Sequence, residues 1–259
     1  MFALTDALPL WAVFVATIML VLLAHELGYR LGAARQKAAS HEKEAPVGGM
    51  VAATLALLAF LLAFTFGLGA NLFQMKREVV LDEANAIGTT YLRADFLPEA
   101  EGIAVRELLR EYVDVRLAAA ETGDVATAIA RSEQIQTLLW AHAAKNMNAN
   151  PDSIAGGLFI ETLNDVIDLH AKRLLIAVRS RIPSTIWIAL YLVAFFAFGT
   201  MGYHGGLAAT NRSFALLAVA VIFSAVIWLI RDLDTAQEGT LRVSQQVMID
   251  LRNSMDAAP

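Results

Sequence analysis

Apolar residues along this chain come in blocks. Four stretches carry no charged residue: 7–24, 45–75, 182–211 and 213–230. A helix needs about 20 mostly apolar residues to cross a bilayer. The second and third stretches exceed that length, and the first and fourth are almost wholly apolar. The pattern predicts four membrane spans, near residues 8–27, 48–70, 184–203 and 213–230. The first resembles a signal peptide in position only. It lacks a basic leading region, carries Asp6, and has no small-residue cleavage site after its apolar run. It is expected to be a retained helix.

Between the second and third stretches the chain turns polar without breaking into turns. Pro98 followed by acidic residues suits a helix start. The segments "TGD" at 122–124 and "NPDS" at 150–153 each stop one helix and cap another. These punctuation marks predict helices over 72–96, 99–121, 124–147 and 153–181. No run alternates with period two, so no sheet is expected. The fold class is therefore all-α: an integral membrane protein with four transmembrane helices and a cytosolic helical insert between spans 2 and 3. The expected divisions are 1–70, 71–183, 184–230 and a C-terminal tail, 231–259.

Two insert helices are two-sided. In the first, Val80, Ala84, Ile87, Tyr91 and Ala94 make one apolar stripe, while Glu78, Asp82, Asn85, Thr89 and Arg93 make a polar stripe opposite. In the last, Ile160, Leu163, Ile167, Leu174 and Val178 form the apolar stripe, and Glu161, Asp165, Asp168 and Lys172 the polar one. The polar stripes have two readings. They are solvated faces with ion pairs such as Asp168–Lys172, or they face a water-filled axis in an oligomer. Gly88 costs helix propensity and favours close packing at that point.

The second span has two faces as well. Ala52, Ala56, Ala59, Ala63, Gly67 and Ala70 form a small-residue stripe, which lets membrane helices approach closely. Opposite lie Leu57, Leu61, Phe64 and Leu68, with Thr54 and Thr65 beside them. The bulky stripe either meets lipid or forms a hydrophobic neck that gates by dewetting. No span holds an internal charge, which disfavours a proton relay or a voltage sensor. Beyond the last span, Asp232, Asp234 and Glu238 stand close together. Carboxylates so spaced suit calcium or a helix-end salt bridge.

Composition changes this picture little. Apolar residues make up 57% of the 259, more than the roughly 45–50% of a soluble domain. There is no cysteine, so disulfides, thiolate metal sites and cysteine nucleophiles are excluded. The net charge of −5 offers no basic patch for nucleic acid. The five histidines form no Glu-x-x-His or His-Glu-x-x-His pattern, and no phosphate-binding loop or nucleophile elbow is present. No catalytic residues are expected. With 71–183 inside, eight Lys and Arg near span ends are cytoplasmic and five external, although the basic loop 28–43 pulls the other way. Both termini are then cytoplasmic.

The segments "EANAIGTTYLR", "LNDVIDLHAKR" and "LIRDLDTAQEGTLRVSQQ" resemble a bacterial membrane-protein family labelled bestrophin-like. In layout the chain also resembles bestrophins, which are pentameric and mostly anion-selective channels. Their pore is lined by apolar residues of the second span, and a calcium clasp follows the fourth. The resemblance implies a homo-oligomeric channel in a bacterial inner membrane that conducts inorganic anions such as chloride, pentameric by analogy. Its pore would be lined by Leu57, Leu61, Phe64 and Leu68 and, beyond the membrane, by Asp82, Asn85, Thr89 and Arg93. Calcium would sit at Asp232, Asp234 and Glu238, although the acidic run here is shorter than in bestrophins. The competing class is a non-conducting membrane scaffold whose insert binds a partner.

Overall fold

The computed structural model describes residues 9–38, 44–176, 180–210, 214–235 and 239–257. Those residues hold eight α-helices and no strand: α1 (Leu10–Lys37), α2 (Glu44–Arg93), α3 (Glu99–Thr122), α4 (Val125–Ala149), α5 (Ile154–Leu174), α6 (Ser184–Leu207), α7 (Phe214–Asp234) and α8 (Gln246–Ala257). A short 3-10 turn, Ala94–Phe96, follows α2. Four helices are long and apolar enough to cross a membrane: Leu10–Lys37, Pro46–Phe96, Ser184–Leu207 and Phe214–Asp234.

The helix ends follow the predicted punctuation. Gly123 ends α3 in the left-handed conformation, φ 75°, and its N–H bonds Ala119 O. That conformation costs a side-chain-bearing residue energy, and glycine little. Asp124 then caps α4 by accepting from the Thr127 N–H at 3.2 Å, and the Thr127 side chain together with that N–H holds its carboxyl below the usual range. Ser153 caps α5 through Gly156 N–H at 3.0 Å. Regular α-helix in α5 stops at Leu174 rather than 181. Val178, from the expected apolar stripe, lies outside the described residues.

The chain divides into two compact units, Met1–Phe73 with Arg181–Arg242, and Gln74–Ser180 with Val243–Pro259. The boundary between the first pair falls inside α2. In the first unit α1 packs along α6 at backbone contact. A Cβ added at Gly202 would lie 2.0 Å from His25 O, and one at Gly28 would lie 1.9 Å from Gly199 O. Only glycine permits that approach, which supplies van der Waals contact that lipid chains do not outcompete. Val21, Leu190, Ala194, Phe198, Ile227 and Ile230 fill the rest of this core.

The second unit is built on the stripe read from the sequence. Val80, Ala84, Ile87, Tyr91 and Ala94 are all buried, with Ile87 fully so. They meet Leu109 and Tyr112 of α3, Ile135 and Leu139 of α4, and Phe159 and Leu163 of α5. Complete burial of each large side chain contributes about 1.5–3 kcal/mol. On α5 the buried face is turned from the expected one. Phe159, Leu163, Val166 and His170 are buried, while Ile160 and Ile167 pack only at the edge.

The described residues of the expected tail, 231–235 and 239–257, belong to the two units and form no separate tail. Met248 and Met255 of α8 sit inside the second core, and Leu251 covers Gly88. Tyr91 OH and Arg110 Nη2 donate to Met255 O at 3.1 and 2.9 Å. Those bonds satisfy a carbonyl that the helix end leaves open.

Candidate functional site

The intramembrane part of α2 does not pack as expected. Its side towards the first unit's core carries Leu58, Thr65 and Gly69, with Leu55, Leu61, Leu62 and Leu72 packed alongside. The small-residue stripe is the uncovered side. Ala52, Ala56, Ala59, Ala63 and Gly67 are exposed, and a Cβ on Gly67 would meet nothing within 4 Å. Close helix approach within the chain falls instead to the glycines of α1 and α6, where backbone meets backbone. The bulky stripe divides. Leu57 and Phe64 are half-exposed at 50% and 56%, together with Phe60, while Leu61 and Leu68 are half-buried. Thr54 and Thr65 hydrogen-bond their own helix, to Val51 O and Leu61 O.

In the second unit the two polar stripes face one space. A groove of about 660 Å³ is lined by Asp82, Asn85, Thr89 and Arg93 of α2 and by Glu161, Asp165, Asp168 and Lys172 of α5. The apolar stripes bring this about, because burying Ile87 and Leu163 turns the polar faces towards each other. Arg93 Nη1 donates to Leu158 O at 2.5 Å and lies 3.6 Å from Glu161. Lys172 lies 3.6 Å from Asp82, so the expected Asp168–Lys172 pair is replaced by a pair between helices. Neither Asp165 nor Asp168 meets a partner among the described residues. Four carboxylates against two cations leave two negative charges unmatched. The exposed pairs are each worth at most about 1 kcal/mol, so the lining is open to ions from solution.

Sequence reasoning missed a second constellation, buried inside the second unit. Glu83 of α2 is fully buried and accepts from Tyr112 OH at 3.0 Å and Arg173 Nη1 at 2.5 Å. Arg116 Nε lies 3.2 Å from Glu83 Oε1, off the N–H direction, and Nη2 donates to Oε2 at 3.5 Å. Arg173 Nη2 reaches Gln245 Oε1 at 3.1 Å. Burial alone would raise the Glu83 pKa, but Arg173 and Arg116 hold it below the usual carboxylate range. Burial and the Glu83 charge push the Tyr112 hydroxyl up. The signal was present: Glu83, Arg116 and His170 each fall on an apolar stripe of their helix.

The acidic turn is occupied by the chain's own donors. Asp232 accepts from Thr240 N–H at 2.7 Å, from Leu241 N–H at 3.2 Å and from the Thr240 hydroxyl. Gly239 is needed beside it, since a Cβ there would fall 1.7 Å from Asp232 Oδ1. Asp234 accepts from Ile182 N–H at 2.8 Å and pairs with Arg231 at 3.2 Å. Glu238 lies outside the described residues, and among those described no three His, Asp or Glu side chains gather as metal ligands.

Membrane-length helices, an uncovered apolar helix face and a helical unit with a wet, charged groove define a four-span helical membrane protein. Its relatives agree. The chain belongs to the bestrophin-like family, whose Bestrophin-like domain matches residues 10–248. Its fold is similar to crystal structures of a bacterial bestrophin homolog from Klebsiella pneumoniae carrying single substitutions. One is 14% identical, with TM-score 0.66 over 95% of this chain and 97% of that one. Another is 14% identical, with TM-score 0.64 over 95% and 98%. A crystal structure described as a membrane protein is 15% identical, with TM-score 0.62 over 95% of both chains. No curated protein sequence matches the chain.

Proposed function

We propose that this chain is one subunit of a homo-oligomeric ion channel in a bacterial inner membrane, with both termini cytoplasmic. The observation that carries the reading is the pairing of the two polar stripes into one groove with unmatched charge. A solvated face needs no such pairing, whereas an ion path needs a wet and charged wall. The uncovered side of α2 supports assembly, since small residues favour a further membrane helix against them. Exposed Leu92, Phe96, Ile103 and Trp140 in the second unit support the same reading. Family likeness makes a pentamer the assembly to test first. Leu57 and Phe64, flanked by Leu61 and Leu68, serve as the dry neck.

The bestrophin resemblance implies anions, but the groove supports cations. Two unmatched carboxylates per subunit raise local cation concentration and repel chloride. Asp232 and Asp234 act in this reading as clamps of the turn. A rise in Tm with calcium, lost in Asp232→Asn, would instead assign an ion to them. A cysteine at Ala120 should be shielded from an impermeant thiol reagent in intact cells, and ready labelling would invert the topology. Liposome flux tests the function itself. Potassium flux above chloride flux is expected, increased in Phe64→Ala by widening of the neck. A parent and variant that both conduct nothing would leave the scaffold as the better reading.

A further inference from the structure

The buried cluster has no part in that reading, and its hydrogen atoms can be assigned. Tyr112 has one hydroxyl hydrogen, and donates it in a hydrogen bond to the ionised Glu83 Oε1, 3.0 Å away. His170 Nδ1 lies 3.1 Å from the same hydroxyl and must therefore donate to it. The imidazole is then the neutral Nδ1–H tautomer, and Nε2 is a bare lone pair. That nitrogen is buried without a hydrogen-bond partner among the described residues, in a side chain only 3% exposed.

Charged groups reach His170 from every helix around it. Glu83 comes from α2, Arg116 from α3, Glu133 from α4 and Arg173 from α5 itself; the uncharged Gln136 of α4 donates to Tyr112, and Gln245, before α8, accepts from Arg173. Glu133 is exposed, so one buried carboxylate faces two buried guanidiniums. A proton on Nε2 would add a second excess positive charge and an N–H with no acceptor. Both penalties are relieved only if the ring reaches water, which requires α5 to part from α3.

We propose that His170 is an acid-sensitive latch of the second unit: neutral, it locks α5 to α3 through Tyr112, and a proton on Nε2 releases it. Burial first, and then Arg116, hold its pKa below the ordinary histidine value of 6.5. The unfolded chain therefore takes the proton first as pH falls. The latch is at full strength above 6.5 and weakens below it, down to the lowered folded value. Protonation of Glu83 acts in a separate window, below its ordinary 4.5.

Two measurements on the full chain in mild detergent test the latch without reference to conduction. Deuterium exchange at imidazole C2, read by mass spectrometry against pH, reports each histidine directly. A His170 midpoint below 6.5 is expected, and one at or above 6.5 overturns the proposal. Melting curves between about pH 7.5 and about pH 5.5 cover the histidine range. The parent should lose several degrees of Tm, and His170→Gln, which keeps a donor for Tyr112 but takes no proton, should lose distinctly less. Equal losses overturn it, and if the variant does not fold, the exchange midpoint decides.

Discussion

Replacing Glu83 by Gln keeps the shape of the side chain and one acceptor oxygen, and removes only the charge. In the structure that charge is fully buried, and the side chains of Arg116 and Arg173 are 6% and 12% exposed. In Glu83→Gln the amide oxygen would still accept from Tyr112, but two guanidiniums would lie in a dry interior with no counter-charge. Removing one partner of a buried pair costs about 3–5 kcal/mol, mostly through the charge left behind. For a chain of this size each kcal/mol moves Tm by roughly 2–4 °C. The expected fall is therefore roughly 6–20 °C, read by melting the purified protein in mild detergent at neutral pH. The parent should approach the variant's stability in acid, because a lowered carboxyl pKa gives stability that is present above the unfolded value and lost as pH falls through the folded one. Glu161→Gln, on the exposed rim of the groove, should shift Tm by no more than about 0.5 kcal/mol implies. A Glu83→Gln protein that melts with the parent would refute the buried-charge reasoning.

Other consequences are as direct. Gly202→Ala should separate α1 from α6 and cost at least about 1–3 kcal/mol, because the added Cβ meets backbone that cannot turn aside; an unchanged Tm would mean the helices are not in contact there. Ile87→Asp and Leu163→Asp each place an unpaired charge in the second core and should lower stability by at least about 4 kcal/mol, with wild-type melting showing the stripes exposed instead. Gly239→Ala should break the Asp232 clamp and increase amide exchange at Thr240 and Leu241; unchanged protection there would remove the clamp.

Periodicity made much of this architecture legible. Charge-free runs placed the spans, and Gly123, Asp124 and Ser153 placed the helix ends, because capping chemistry is local. The α2 stripe from Val80 to Ala94 was legible for the same reason: burial of a helix face leaves a 3.6-residue trace. The groove was half legible. Each polar stripe could be read, but that they share one space depends on tertiary packing. Where the reading failed, the cause was packing between distant segments. The alanines of α2 and the glycines of α1 and α6 look alike as small residues, and only the folded chain shows which pair is covered. The face of α5 was misjudged because Phe159, Val166 and His170 out-compete Ile160 and Ile167 for the core. The C-terminal helix was missed because it is only 12 residues long and polar on average, with Met248 and Met255 as its buried anchors. Glu83 belonged to neither stripe as read, although its place between Val80 and Ile87 marked it for burial with a partner.

The central claim is that the groove between the polar stripes lines an ion path and that its unmatched carboxylates choose the ion. The most direct measurement is the reversal potential of the reconstituted protein under a potassium chloride gradient, for the parent and for Asp165→Asn with Asp168→Asn. These side chains are exposed and unpaired among the described residues, so the double variant should fold as the parent does. The account predicts a cation-favouring potential in the parent that moves towards the chloride value in the variant. A parent that favours chloride, or a potential that does not move when both carboxylates are neutralised, would contradict it.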